Sequence, residues 1–539
     1  MSTATLNETE PLSRRVIGEV SYARLLEQQR VRPHSSVFWH GVRTKRCVVE
    51  RMRVAHTLHG HEGCVNVVNW SECGQFLISG SDDCALKIWK THAVGAAPQL
   101  LSTLQPGHVR NIFTAHFVPH SNLGRTVSGG LDQLVRLHDV ERNVSRTVFA
   151  ARELVSKIVF VPWQPDCFYT CAYDGLVRFT DLRLPHAPAT TTLLSLRDVG
   201  CPLQSASQVA FDPVDARQFV LAGGDHRLRV FDVRRVDSAR HAFSLSSSVD
   251  FESDVQAFSP ITPSGVDWGA NGLIAATYSG RPALIFDVHR DRVRVLLDAA
   301  EIERAAELAT MAATSSAGTK RASASADDAA VSLDDAPQRL CMSEGDSPIS
   351  EVSEDIDSDD EGSDDDDSDD GGRHENSGAG AQQRAAQPTV HVLEPVRARL
   401  HGHDNRQTFL KEIAFFNDEF VVTGSDCGHV YFWHIASTDG APINVVHADD
   451  AVVNGVKPHP HLPLIATCGI DSSVKILECG DAVTVDADAI SELVDANNRD
   501  IRRARETEAR FVRFYRSGLA EFIRRHDTDQ TDSTGDESS

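Results

Sequence analysis

Apolar and polar positions alternate along most of the chain, in short runs separated by turn residues. Cys47 to Leu58 alternates, Leu58-His-Gly-His61 follows, then Gln75-Phe-Leu-Ile-Ser-Gly80, a turn at Ser81-Asp-Asp83, and Leu86-Lys-Ile-Trp89. A period of two broken by turns predicts strand, turn, strand. The unit returns at Gly107-His108 to Val140, Val155 to Arg183, Val209 to Arg234, Gly265 to Val288, Gly402-His403 to Trp433, and Val453 to Leu477. Setting aside one long interruption, this makes about seven copies at the ~40–45-residue spacing of propeller blades, an all-β fold. The last copy has no outer strand after Leu477. Cys47–His56 would supply one, closing the ring from the N-terminal side and removing an exposed edge.

A fixed acidic residue marks the turn of most units. It lies six positions before the Trp or its equivalent in Asp83/Trp89, Asp132/His138, Asp174/Thr180, Asp225/Phe231 and Asp471/Leu477. An Asp buried there needs donors. The Gly-His histidine, His61 in the first unit, and the neighbouring backbone are expected to provide them. The sixth unit has Cys427 at that register, so its network is expected to be broken. Two units carry something more: Phe168–Arg183 and Phe219–Arg234 both end Asp-x-Arg, as Asp181/Arg183 and Asp232/Arg234. One such surface arginine is ordinary; two at one register in neighbouring units predict a paired site. A planar, permanently charged fork suits carboxylates and carbonyls in a partly desolvated interface.

Outside the repeat the pattern changes. Residues 1–45 are polar, with Val16, Ile17, Val20, Leu25 and Leu26 spaced for one amphipathic helix, which either packs on its own domain or serves as a partner-binding arm. Residues 300–390 pass from Ala, Ser and Thr into an acidic run and then Gly, Gln and Arg, with almost no aromatics. Such a segment cannot bury enough apolar surface to order itself and is expected to be disordered. If Val396–Leu400 is the outer strand of the fifth blade, the insert sits between that blade's third and fourth strands, on the face of Arg183 and Arg234. If Asp291–Leu297 takes that role, it moves to the other face; the first placement is preferred. Beyond residue 480, Phe511, Phe514, Tyr515, Leu519, Phe522 and Ile523 share one helical face opposite arginines, and 527–539 is a polar tail expected to be disordered.

Charge and composition narrow the function. The net charge is −24, but Glu344 to Asp370 holds 15 acidic and no basic residues; taking those 15 from −24 leaves −9 elsewhere. A body of modest charge without a concentrated basic face argues against direct nucleic-acid binding. Within the run, Ser358 precedes Asp-Asp-Glu361 and Ser363 precedes Asp-Asp-Asp366, candidate sites for an acidophilic kinase. The run reads either as a solvated linker or as an electrostatic lure for basic proteins such as histones. The 11 cysteines are scattered, without CxxC spacing or a histidine pair to complete a zinc site, so neither metal nor cofactor is expected. Free thiols suit a reducing compartment, and there is neither an apolar leader nor a run long enough to span a bilayer, so an intracellular, non-membrane protein is expected. Ser425-Asp-Cys-Gly-His429 sets a thiol near an imidazole, but turn geometry explains its Asp and Gly. His459 and His461 are expected at the loop surface, and catalysis is not expected.

Over nearly all of 46–480 the repeat resembles the WD40 family, whose fold is a seven-bladed propeller. The chain then divides into an N-terminal extension (1–45), a first propeller part (46–299), the acidic insert (300–390), a second propeller part (391–480), a C-terminal helical segment (481–526) and a tail (527–539). The Asp-x-Arg endings resemble the WDxR boxes of WD40 substrate receptors of cullin-4 ubiquitin ligases. That resemblance implies that Asp181 and Asp232 orient the loops while Arg183 and Arg234 reach the ligase's propeller adaptor, the damaged-DNA-binding protein subunit. Thr180 and Phe231 stand where the box has Trp. Glu419-Phe-Val-Val-Thr-Gly-Ser-Asp-Cys-Gly-His429, Val453-Asn454 and Lys457-Pro-His-Pro-His-Leu-Pro-Leu-Ile-Ala-Thr467 narrow the resemblance within that family. So does the order of propeller, arginine-rich helical segment and Asp/Ser tail. The implied function is a non-catalytic receptor for an unknown protein substrate, in the nucleus and/or cytoplasm. The alternative is a WD40 scaffold or histone-binding protein without a ligase link.

Overall fold

The computed structural model describes residues 45–91, 97–184, 190–197, 205–234, 243–247, 261–288, 392–393, 395–408, 410–480 and 486–507. These belong to one compact unit, 1–299 with 390–539. The expected helix within 1–45, the acidic insert with Ser358 and Ser363, the 511–523 face and the tail lie outside the described residues.

Each repeat folds into an antiparallel sheet, and seven such sheets form the blades of a propeller. The first blade runs Val65–Trp70, Phe76–Ser81, Leu86–Lys90 and Gln99–Leu104; the third runs Val155–Phe160, Cys167–Ala172, Leu176–Asp181 and Thr190–Ser195. Burial follows position in the blade. The second strands, such as Cys167–Ala172 and Leu464–Gly469, are buried at every residue, whereas the outer strand Val144–Ala150 is mostly open. A strand sandwiched between two neighbouring blades meets apolar surface on both faces and reads as an unbroken apolar run. An outer strand meets it on one. Aromatic packing joins adjacent blades: Tyr169 of the third lies 4.9 Å from Phe211 and 5.4 Å from Phe219 of the fourth. At Gly424 a Cβ would stand 2.2 Å from the Val453 carbonyl oxygen, so only glycine lets the seventh blade's inner strand approach the sixth.

The ring closes through the N-terminal strand. Met52–His59 pairs antiparallel with Ser473–Cys479 as the outer strand of the seventh blade. The strand expected from Cys47 begins later: Arg46–Val49 forms a helical turn instead. Val48, Val49 and Met52 are buried with Phe416, Phe420 and Phe432, and the Asn444 amide donates to the Val49 carbonyl at 2.7 Å. Burying the Val48-Val49 doublet end-on against two blades outweighs its strand propensity.

In the fifth blade Ala283–Asp287 pairs with Val396–Leu400, so the chain between them leaves after the third strand and returns at the fourth. On the way back Val392–Leu393 adds a short parallel strand to Phe243–Leu245 of the fourth blade. Turns from first to second and from third to fourth strands share one face, here the lower face. Turns from second to third strands and between blades share the upper face.

Candidate functional site

Arg183 and Arg234 follow the third strands of the third and fourth blades, on the lower face. Each guanidinium turns back onto its own Asp. Arg183 donates from Nε at 2.9 Å and Nη2 at 2.6 Å to the Asp181 carboxylate, and Arg234 from Nε at 2.9 Å and Nη2 at 2.5 Å to Asp232. The Asp also accepts the arginine's own backbone N–H, at 3.0 Å in the first fork and 2.9 Å in the second. Three donors on one carboxylate fix the turn and the fork together. The Arg234 hydrogen bonds hold the Asp232 carboxyl at about 2, Asp181 is lowered by Arg183 in the same way, and both arginines are raised. The carboxylates are mostly covered and the guanidinium groups mostly exposed, with the Nη1 edge of each fork free among the described residues. A partner therefore meets a rigid cationic edge whose ordering cost is already met.

A third fork stands beside them. Asp215-Ala-Arg217 lies in the fourth blade's first turn, where Arg217 Nε donates to Asp215 at 2.7 Å. The Val233 N–H donates to the Arg217 carbonyl at 2.8 Å, and Arg217 helps to lower Asp232, so the second and third forks are neighbours. The Asp-x-Arg signal was present in the sequence, but it falls before a strand rather than after one, so a register search misses it. Thr180 and Phe231, in the Trp register, are both buried. The Thr180 hydroxyl pairs with that of Thr190 at 2.9 Å, and Phe231 stacks on Phe219 at 5.3 Å.

The blade-turn aspartates use two donor systems, not one. In the first blade His61 Nδ1 meets Asp83 at 2.7 Å, His61 Nε2 meets Ser79 Oγ at 2.8 Å, and Trp89 Nε1 donates to the same hydroxyl at 2.9 Å. Burial pushes Asp83 up, but the N–H of Ala85, His61 and the N–H of Glu62 outweigh it and leave it lowered. In the second blade His108 serves Asp132 at 2.8 Å. The expected histidine is replaced elsewhere by a cation four residues along the third strand: Arg178 for Asp174, Arg229 for Asp225 and Lys475 for Asp471. The sixth blade is rebuilt around Asp426, one residue before Cys427. Its carboxylate accepts from buried Lys411 Nζ at 2.7 Å and from the Gln407 N–H at 2.7 Å, while His403 makes no bond to it.

The Cys427–His429 turn is a seat for the C-terminal helix, 487–507, on the upper face. Asn497 donates to the Gly402 carbonyl at 2.8 Å and to Tyr431 Oη at 2.9 Å, and lies 3.4 Å from Cys427 Sγ. Burial pushes the Cys427 thiol up, but its hydrogen bonds with His429, Ser425, Asn497 and Tyr431 outweigh it and leave it at about 7. His459 is buried rather than at the loop surface. It packs edge-on to Trp70 at 4.6 Å, and its Nε2 meets the Gly74 carbonyl at 2.9 Å. Among the described residues no group of three or more His, Cys, Asp or Glu is placed to hold a metal ion, and no helix is long and apolar enough to cross a membrane.

The lower mouth of the central channel opens into a cavity of about 440 Å³ lined by Lys157, Asp267, Glu412 and Lys457 with His116. Lys157 meets Glu412 at 2.5 Å and Lys457 meets it at 3.2 Å. The charges answer one another across the channel, which marks a structural belt.

The WD domain, G-beta repeat model matches residues 52–90 and 440–477. Over 201 residues, 37% of this chain and 29% of the relative, the chain is 29% identical to WD and tetratricopeptide repeats protein 1 of Mus musculus. It is 30% identical over 229 residues to WD repeat protein iqw1 of Schizosaccharomyces pombe, covering 39% of this chain and 27% of that one. It is 29% identical over 197 residues to human DDB1- and CUL4-associated factor 6, covering 35% of this chain and 22% of the relative. The matched region thus spans under a third of each of these relatives. The chain is a seven-bladed WD40 β-propeller, similar at low identity to these proteins.

Proposed function

We propose that this propeller is a non-catalytic substrate receptor of a cullin-4 ubiquitin ligase, docking on the damaged-DNA-binding-protein adaptor through Arg183 and Arg234 and holding a protein substrate elsewhere. The observation that carries the reading is the pair of forks: two neighbouring blades end in the same Asp-ordered arginine, at one register and on one face. A scaffold held together by its blades alone has no use for both. The name of one relative, which describes an adaptor- and cullin-associated factor, supports the reading at low identity. The finer likeness of Glu419–His429 and Lys457–Thr467 to the eighth member of that family of factors is part of the same proposal. So is action in the nucleus and/or cytoplasm. The receptor works by raising the substrate's effective concentration near the ligase.

The test is binding of purified adaptor to wild type and to the Arg183→Ala/Arg234→Ala double variant. Truncating interface arginine anchors often costs about 2 kcal/mol or more, so at least a tenfold loss is expected from a variant that remains folded. Equal binding by both would move the site elsewhere. A wild type that ignores the adaptor would leave the plain WD40 scaffold, with or without basic partners such as histones at the acidic insert.

A further inference from the structure

The lower face carries a second feature, at the turns from first to second strands. Four of these turns contain Pro-x at one register: Pro119-His120, Pro162-Trp163, Pro213-Val214 and Pro460-His461. Residue x is a histidine in the second and seventh blades. It is apolar in the third and fourth, the two blades that carry Arg183 and Arg234. Trp163 is 86% exposed and Val214 is 71% exposed. Among the described residues just one other large apolar side chain exceeds 70%, Val109 at 79%, and it stands on the upper face.

The Trp163 turn is rigid and its backbone unfavourable. Trp163 has φ 66, as His120 has φ 56 in the second blade, a region that crowds the Cβ of any residue but glycine. Pro162 and Pro165 restrict the chain on either side. The Gln164 N–H donates to the Val161 carbonyl at 3.0 Å, and the Cys167 N–H to the Gln164 carbonyl at 3.0 Å. An indole held open to water on such a turn adds nothing to the stability of its own blade, and strain of this kind gathers at binding surfaces. The turn is bonded to the arginine fork: the Leu182 N–H donates to the Asp166 carbonyl at 2.9 Å, and Arg125 holds the Asp166 carboxylate at 2.9 Å. Leu184, directly after the fork, is also open.

We propose that Trp163 and Val214 are the apolar anchors of one docking surface on the third and fourth blades. Its occupant is a protein with apolar recesses bordered by carboxylates or carbonyls, which receive the free guanidinium edges of Arg183, Arg217 and Arg234. Charge placement argues for that chemistry. Each fork's carboxylate lies beneath and each guanidinium outward, so the contact layer is cationic although every pair is neutral. A large ring on a constrained turn, beside preorganised arginines, is the composition that dominates binding energy at interfaces. The inference rests on the adaptor reading above and adds residues which that reading does not contain.

The experiment measures affinity for the purified adaptor, together with melting temperature, for wild type, Trp163→Gly, Val214→Asp and the control His120→Ala. Trp163→Gly is expected to raise Kd at least tenfold while its melting temperature equals or exceeds that of wild type, because glycine relieves the left-handed backbone. Val214→Asp is expected to raise Kd about fivefold through lost apolar contact and like-charge repulsion, and His120→Ala to leave it unchanged. If wild type binds and Trp163→Gly binds equally, the anchors are overturned while the adaptor reading stands. A melting temperature several degrees lower for Trp163→Gly would assign the ring to the fold and overturn its role in docking. If wild type does not bind, the adaptor reading falls and the anchors fall with it.

Discussion

One serine hydroxyl shows how far a single position decides behaviour. In the first blade Ser79 lies between an imidazole and the Trp89 indole, and in the second Ser128 lies between two imidazoles, His108 and His138, both at 2.7 Å. His138 Nδ1 is buried with no hydrogen-bond partner among the described residues. Burial lowers His138 to about 3, and His116 and His403 fall to about 3 for the same first reason. The unfolded chain, with histidines near 6.5, therefore takes up protons before the folded one. Stability is full above that value and declines as pH falls toward 3, by about 1.4 kcal/mol per pH unit for each histidine. His138→Trp copies the first blade, since an indole N–H donates to Ser128 as Trp89 does to Ser79. Unfolding in urea at pH 7 and pH 5 is expected to show a smaller acid loss for the variant; an identical loss would place the acid sensitivity elsewhere. Residue roles were unevenly legible. The aspartates and fork arginines stood out through repetition. The exposure of Trp163 did not, because a lone tryptophan in an apolar run reads as core.

At the scale of elements, strand alternation carried the fold, including the closing strand and Val396–Leu400, because period two survives wherever one face is buried. It erred where end-on burial beats propensity, at Val48-Val49, and where a side chain reaches along its own strand. Asp174 and Asp225 stand at the turn that opens the third strand, so Arg178 and Arg229, four residues on, reach back to them. The same spacing recurs as Asp83/Lys87, Asp132/Arg136 and Asp471/Lys475, and could have been read from the sequence. The helix at 487–507 precedes the aromatic face that marked a helical segment, and it is held by the apolar packing of Leu493 and Val494 together with polar contacts. Asn497 supplies two of them, and Val494 lies against Gly402. Asn497→Ala leaves a buried carbonyl and a buried phenol short of a partner, at a cost of about 2 kcal/mol. Hydrogen exchange is expected to quicken across 487–507 while the blade strands keep their protection. Unchanged protection of the helix would mean that Leu493 and Val494 hold it by packing alone.

For the whole molecule the question is what makes seven blades unfold as one. Each blade packs on its neighbours, a chain of local contacts that closes at Met52–His59. The channel belt adds links of another kind. Lys157 belongs to the third blade, Glu412 to the sixth and Lys457 to the seventh, so the Lys157–Glu412 pair spans the ring. Burial alone would raise Glu412, but the charges of Lys157 and Lys457 outweigh it and hold the carboxyl at about 2 rather than 4.5. With the folded value depressed, the contribution is whole above pH 4.5 and is lost as pH falls through about 2; the difference corresponds to about 3 kcal/mol. Glu412→Gln leaves two ammonium groups facing each other in a narrow channel, and about 3–5 kcal/mol of stability is expected to go at pH 7. Lys157→Met added to Glu412→Gln removes one of the two stranded charges and their mutual repulsion, and is expected to recover most of the loss. The single and double variants compared by urea unfolding at pH 7 separate the two possibilities. If Glu412→Gln alone costs under about 1 kcal/mol, water in the channel screens the lysines and the blades are coupled through their packed faces. If the double variant recovers stability, the belt links opposite sides of the ring by charge, and the lower face that carries the forks rests on that link.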